Sequence, residues 1–217
     1  MAPKVPVWDL PTRLGHWIMV GLFVLSWWSA EQRMMDRHYL FGLSWVALLA
    51  FRLIWGLVGT NTSRFRNFVR SPAGVIAHLR QGHEPPLGHS PLGAYNVIAM
   101  LLALTVQITS GLFATDVDGL DSGPLSFLLS FDQARLAAKI HAYSFNVLLG
   151  LIALHIAAIV FYLVFARRNL VGPMISGRTR HAPRQGGKMV AAGPIRFAAA
   201  AAIAVVLAWQ VGKGFGL

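Results

Sequence analysis

Four of the 8 histidines stand inside long apolar stretches: His16, His38, His141 and His155. Ionisable side chains are costly in such surroundings, and they mark function there by default. His141 and His155 are fourteen residues apart. On a helix that interval is about 40° short of four full turns, so both imidazoles leave one face, about 21 Å apart along the axis. The distance is too great for one metal ion. It suits two cofactors stacked along the helix, each taking a second imidazole from another helix at matching depth. With Cys 0 in the composition, disulfides, thiolate-bound metals and iron–sulfur clusters are excluded. Paired neutral imidazoles in a carboxylate-poor interior are the donor set of haem iron. Packing or interhelical hydrogen bonding explains one helical histidine readily, but it has to explain four at two matched depths.

The elements that hold these residues follow from composition. The chain has 217 residues, of which 55% are hydrophobic and 12% charged. A soluble domain carries about 25% charged residues, and the mean hydropathy here is +0.56. Five stretches are long enough to cross a hydrocarbon core of about 30 Å. They run from about Leu10 to Ala30, His38 to Val58, Leu92 to Ala114, Asp132 to Phe165 and Pro194 to Val211. Asp9 and Pro11 open the first as N-cap and first-turn proline. A signal peptide is the other reading of that stretch; its length, Trp17, Trp27 and Trp28, and the lack of a small-x-small cleavage site favour a retained span. The expected fold is all-α: a transmembrane four-helix bundle over residues 1–168, a basic cytoplasmic linker over 169–192 and a fifth, C-terminal transmembrane helix over 193–217. That last helix is short and Ala-rich, and a peripheral position is the alternative for it.

The formal net charge of +11 does not read as nucleic-acid binding, because the cations lie between apolar runs and act as topology signals. Lys4 and Arg13, then Arg64, Arg66, Arg70 and Arg80, then Arg167, Arg168, Arg178, Arg180, Arg184, Lys188 and Arg196 mark the cytoplasmic side. Glu31, Arg33, Asp36 and Arg37, and then Asp116, Asp118, Asp121 and Asp132, mark the outer side. The N-terminus is thus cytoplasmic, His38 pairs with His141 at the outer depth, and His16 with His155 at the inner. Arg52 and Arg13 lie near the inner end, where a haem propionate or a quinone headgroup would satisfy them and snorkelling is the alternative. Gly15, Gly42 and Gly150 allow either a macrocycle or a neighbouring helix to approach. His78, His83, His89 and His181 read as solvated loop residues, with His89 also a candidate for a quinone headgroup at the inner surface. Gly82 to Pro91 and Pro173 to Gly187 read as polar connecting segments.

The run VWDLPTRLGHW (Val7 to Trp17), His38-x3-Gly42 followed by Arg52, and His141-x13-His155 together resemble the bacterial cytochrome b561 family. That group is related to the b-type cytochrome subunit of nickel–iron hydrogenases. The likeness covers about Val7 to Phe165, and NLVGPMISGR (Asn169 to Arg178) looks similar to the same group. It implies a four-helix membrane bundle with two b haems, axial ligands at His16, His38, His141 and His155, and electron exchange between the quinone pool and a redox partner. A c-type cytochrome, a dehydrogenase or a hydrogenase is the kind of partner implied. A stand-alone superoxide:quinone oxidoreductase and a haem-bearing anchor subunit are the other readings. The net acidity of the outer loops favours a basic protein over an anionic substrate. The fifth apolar segment departs from the family pattern, as an extra helix, a homo-oligomer contact or a docking element.

Overall fold

The bundle begins at Asp9, whose Oδ1 accepts the Thr12 N–H at 2.7 Å, while Pro11 occupies the first turn, where its missing N–H costs nothing. From this cap α1 runs over Leu10–Glu31. A tight turn with Arg33 at φ 53° reverses the chain into α2, Met35–Val58. Two short helices follow, α3 over Phe65–Phe68 and α4 over Pro72–Gln81. Ser90 caps α5, Pro91–Phe113, by accepting the Gly93 N–H at 3.1 Å. Ser130 and Gln133 form a capping box that opens α6, Phe131–Val164. The last helices are α7, Val171–Ser176, and α8, Pro194–Gly212. This computed structural model describes residues 4–69, 71–81, 87–180 and 188–216, without the side chains of 77–81. His83, His181, Arg70 and Arg184 lie outside the described residues, as do the side chains of His78 and Arg80.

Among the described residues four helices, α2, α5, α6 and α8, are long and apolar enough to cross a membrane. The first of the five expected spans, α1, is not among them by hydropathy. Its 22 residues are long enough, but Thr12, Arg13, His16, Ser26, Ser29 and three tryptophans dilute its hydropathy. It nevertheless belongs to the bundle, packed on α2 and facing α6 through Phe23 stacked on Phe145 at 5.9 Å. The 34 residues of α6 measure about 51 Å, so one end extends past the hydrocarbon layer. Outward-facing apolar side chains such as Leu102, Val147, Leu154 and Val205 stand about 60% exposed (63%, 59%, 60% and 62%), the sign of surfaces that meet lipid.

The C-terminal helix is not peripheral. Ala200, Ala204 and Ala208, spaced by four and buried with Val211, let α8 lie close against α2. Phe197 meets Phe51 and Trp55 edge-on at 5.8 and 6.1 Å, and the Tyr39 hydroxyl donates to the Gly212 carbonyl at 3.1 Å. The stretch after α6 also holds more structure than a polar connection. Val5–Pro6 (β1) pairs antiparallel with Arg178–Thr179 (β2), the Val7 N–H donates to Gly177 O at 2.8 Å, and Trp17 Nε1 donates to Met174 O at 3.2 Å. These bonds fold α7 back onto the start of α1. The bundle thus has a basic end, carrying the start of α1 and the described residues of 59–69, 87–90, 166–180 and 188–193, and an acidic end, carrying the turn at 32–34 and the segment 114–130.

Candidate functional site

Two pairs of imidazoles face each other, one toward each end. At the acidic end His38 of α2 meets His141 of α6, with ring centres 6.2 Å apart and planes at 90°. Their outward nitrogens are fixed. His38 Nδ1 lies 3.0 Å from the Ser26 carbonyl and His141 Nδ1 lies 2.8 Å from the Gln107 carbonyl. A carbonyl only accepts, so both Nδ1 atoms carry the proton and both Nε2 atoms present a lone pair. A histidine that donates its second N–H to a carbonyl is oriented as metal-ligating histidines are.

At the basic end His16 of α1 meets His155 of α6, with ring centres 6.4 Å apart. His155 Nδ1 lies 3.3 Å from the Asn96 carboxamide nitrogen, and Asn96 Oδ1 is buried without a partner. Turning that carboxamide over lets Oδ1 accept from His155 Nδ1, the arrangement seen at the other end. His16 Nδ1 is buried without a partner among the described residues.

These separations allow a test of fit. A metal about 2 Å from each of two imidazole nitrogens places the ring centres about 6 to 6.5 Å apart, and both pairs meet that condition. Among the described residues no group of three or more His, Asp or Glu side chains comes together; the imidazoles meet only in pairs, as an iron already held in a macrocycle requires. A cavity of about 700 Å³ opens beside His38 and His141, walled by Phe23, Trp27, Trp45 and Phe145. Gly42 lines it, and a Cβ there would meet nothing within 4 Å. Gly111 is the opposite case, since a Cβ would stand 2.7 Å from His141 Cε1. The Gln107 carboxamide nitrogen now lies 3.1 Å from His141 Nε2. Iron ligation requires that amide to swing aside while its backbone carbonyl keeps hold of Nδ1.

Between the two pairs Trp45, Leu104 and Leu148 form a buried apolar cluster, with Met19, Phe23 and Ile152 packed against it. The interval is lined by apolar side chains, and Trp45, Leu104 and Leu148 also border the cavity. The two ends differ in charge. Glu31, Asp36 and Asp121 line the cavity, and among the described residues no lysine or arginine does. Arg135 is turned away and donates to the Thr115 carbonyl at 2.9 Å.

At the basic end Arg52 does not snorkel. It is 8% exposed, lies over the Phe65 ring at 5.0 Å and has an Nη1 without a partner. Arg13 donates from Nη1 to the Ile175 carbonyl, and its Nε is buried and unpartnered. His89 overturns the expectation of a solvated loop residue. Its ring packs against Trp8 at 4.7 Å and Phe68 at 4.4 Å. Burial, reinforced by the charges of Arg52 and His155, lowers its pKa to about 3, so it is neutral at neutral pH.

Sequence reasoning confined to ionisable residues missed Asn96 and Gln107. The signal was present: they are eleven residues apart, about 20° past three turns of α5, so both polar side chains leave one face toward α6. Ser26 and Gly111 carried no comparable mark.

A multi-pass membrane helix bundle with imidazoles paired at two depths is the class that this fold and geometry define. The sequence profile of prokaryotic cytochrome b561 matches residues 7–177, from just ahead of α1 to the end of α7, and the chain belongs to that family. Membership makes it a membrane b-type cytochrome, an electron-transfer protein, and implies a b-type haem. No curated protein matches the chain. The C-terminal α8 lies beyond the matched region.

Proposed function

We propose that the chain carries electrons across a bacterial inner membrane, between the quinone pool and a redox partner at the acidic surface, through two b haems. His38 and His141 would ligate the outer haem, and His16 and His155 the inner. The observation that carries this reading is the pair of imidazole separations, 6.2 and 6.4 Å, on opposite ends of α6. Haem iron supplies a reversible one-electron couple whose potential follows burial and hydrogen bonding.

The chain's own residues do the rest. Ser26 O and Gln107 O hold two imidazoles in the ligating tautomer. The cluster around Trp45, Leu104 and Leu148 sets apolar side chains between the two sites. Arg13 and Arg52 retain unpartnered N–H groups for propionates at the basic end. With two imidazoles bound, a haem iron would have no position left for oxygen, so neither oxidase nor oxygen-carrier chemistry is expected. The excess of cations in the basic segments supports a cytoplasmic N-terminus.

The acidic lining of the outer cavity favours docking of a basic protein, such as a c-type cytochrome, over capture of the superoxide anion. Adding a quinol to the oxidised, detergent-purified protein is expected to reduce its haem bands. A basic c-type cytochrome is then expected to reoxidise them, at a rate that falls steeply as salt is raised from about 0.01 to 0.15 M. No reduction by quinol, or transfer indifferent to salt, would overturn the assignment of partners.

Gly111 supplies a more local test. Gly111→Val places a branched side chain where the His141 ring now lies, a clash of the kind that costs about 1–3 kcal/mol. Haem content is expected to fall toward one per chain, with the inner haem kept; full content in this variant would mean that His141 does not need its present position.

A further inference from the structure

The basic end contains a second feature that the histidine pairs do not use. Among the described residues, buried Arg52 has an unpartnered Nη1, and buried His89 Nδ1 has no partner either. One aromatic wall joins them. Arg52 lies over Phe65 at 5.0 Å, Phe65 meets Phe68 at 5.8 Å, and Phe68 and Trp8 flank His89. Gly56 leaves room for the Phe65 ring against its backbone. Gly88, at φ +103°, makes the turn that tucks His89 against Trp8.

A buried guanidinium that makes no hydrogen bond to an anion is costly. Asp9, the buried carboxylate at this end among the described residues, attracts Arg52, but it leaves Arg52 Nη1 unbonded and already accepts from the Thr12 N–H, Trp55 Nε1 and the Ser63 hydroxyl. The pocket therefore calls for an acceptor that brings a negative charge. A quinone carbonyl accepts hydrogen bonds but adds no charge; a carboxylate provides both an acceptor for Nη1 and a closer countercharge than Asp9. The N-terminus of α5, which begins directly after this segment at Pro91, adds to the positive potential. The cavity at the acidic end has no lysine or arginine in its lining among the described residues, so this provision belongs to one end only.

We propose that Arg52 and His89 form a carboxylate-binding pocket and that its occupant is a propionate of the haem held by His16 and His155. The proposal rests on the two-haem reading above. Arg52 supplies the countercharge and His89 a neutral N–H donor, while Trp8, Phe65 and Phe68 keep water from competing. His89 is thus a cofactor-binding residue outside the axial set.

The test is the rate at which the full-length, detergent-purified protein gives up its haems to excess apomyoglobin. His89→Leu keeps an apolar filling between Trp8 and Phe68 but removes the donor. It is expected to speed release of one haem about tenfold or more, the effect of losing a charge-assisted hydrogen bond, and to leave the other unchanged. The faster haem should be the one absent from His155→Ala. His89→Gln retains an N–H and is expected to return most of the slow rate. Two haems leaving His89→Leu at the wild-type rate would overturn the proposal, as would a Gln variant as fast as the Leu variant. A wild-type protein lacking two haems would instead overturn the two-haem reading, and this inference with it.

Discussion

Replacing His38 or His141 by alanine is expected to leave one haem per chain and to spare the inner one; replacing His16 or His155 should do the reverse. The selectivity follows from separation. The two positions on α6 lie about 21 Å apart, with the buried cluster of Trp45, Leu104 and Leu148 between them, so loss at one end has no contact through which to empty the other. The effect should be near complete, because an iron that loses one of two axial imidazoles is left in a site with no substitute donor: no third His, Asp or Glu joins either pair among the described residues. Haem content by pyridine haemochrome, combined with the visible spectrum of each variant, reads the outcome. Four variants that each keep two low-spin haems would disprove the ligand assignment.

The second large effect is expected at Asp9. Its Oδ1 accepts the Thr12 N–H at 2.7 Å, and its Oδ2 accepts from Trp55 Nε1 at 3.0 Å and the Ser63 hydroxyl at 3.2 Å. Ser63 in turn lies 2.7 Å from both Thr12 Oγ1 and Thr60 Oγ1. All five residues are buried. One carboxylate thereby ties the start of α1 to the end of α2 and to the segment beyond it. Asp9→Ala removes the helix cap and strands the Trp55 and Thr12 N–H groups away from water, at a cost of about 3–5 kcal/mol. Because His16 lies two turns along α1, the inner haem should be lost before the outer as the variant is heated. Asp9→Asn retains one acceptor oxygen and should fall between the two. Thermal unfolding followed at the haem band measures both effects, and a wild-type transition in Asp9→Ala would rule the clamp out.

Much of this architecture was legible in the sequence, because the features concerned are periodic and local. Long apolar runs locate the helices to within a few residues; α2, expected from about His38, begins at Met35 because the turn after α1 is short. The depth argument pairs His16 with His155 and His38 with His141, and the folded chain brings those rings together. Other features depend on contacts that no local pattern encodes. The burial of His89 requires Trp8 and Phe68, from segments far apart in the chain. The return of α7 onto α1 depends on carbonyls at Met174, Ile175 and Gly177 meeting Trp17, Arg13 and Val7. The Asp9 clamp joins residues more than 45 positions apart. Periodicity gives the face a residue leaves from; it does not give the partner.

The most direct test of the central claim is a reduced-minus-oxidised visible spectrum of the purified chain, with a pyridine haemochrome assay giving haem per polypeptide. Two six-coordinate b haems held by paired imidazoles predict sharp low-spin bands and about two haems per chain. A colourless protein after expression with ample haem, or a high-spin spectrum, would contradict it and return the four histidines to packing roles.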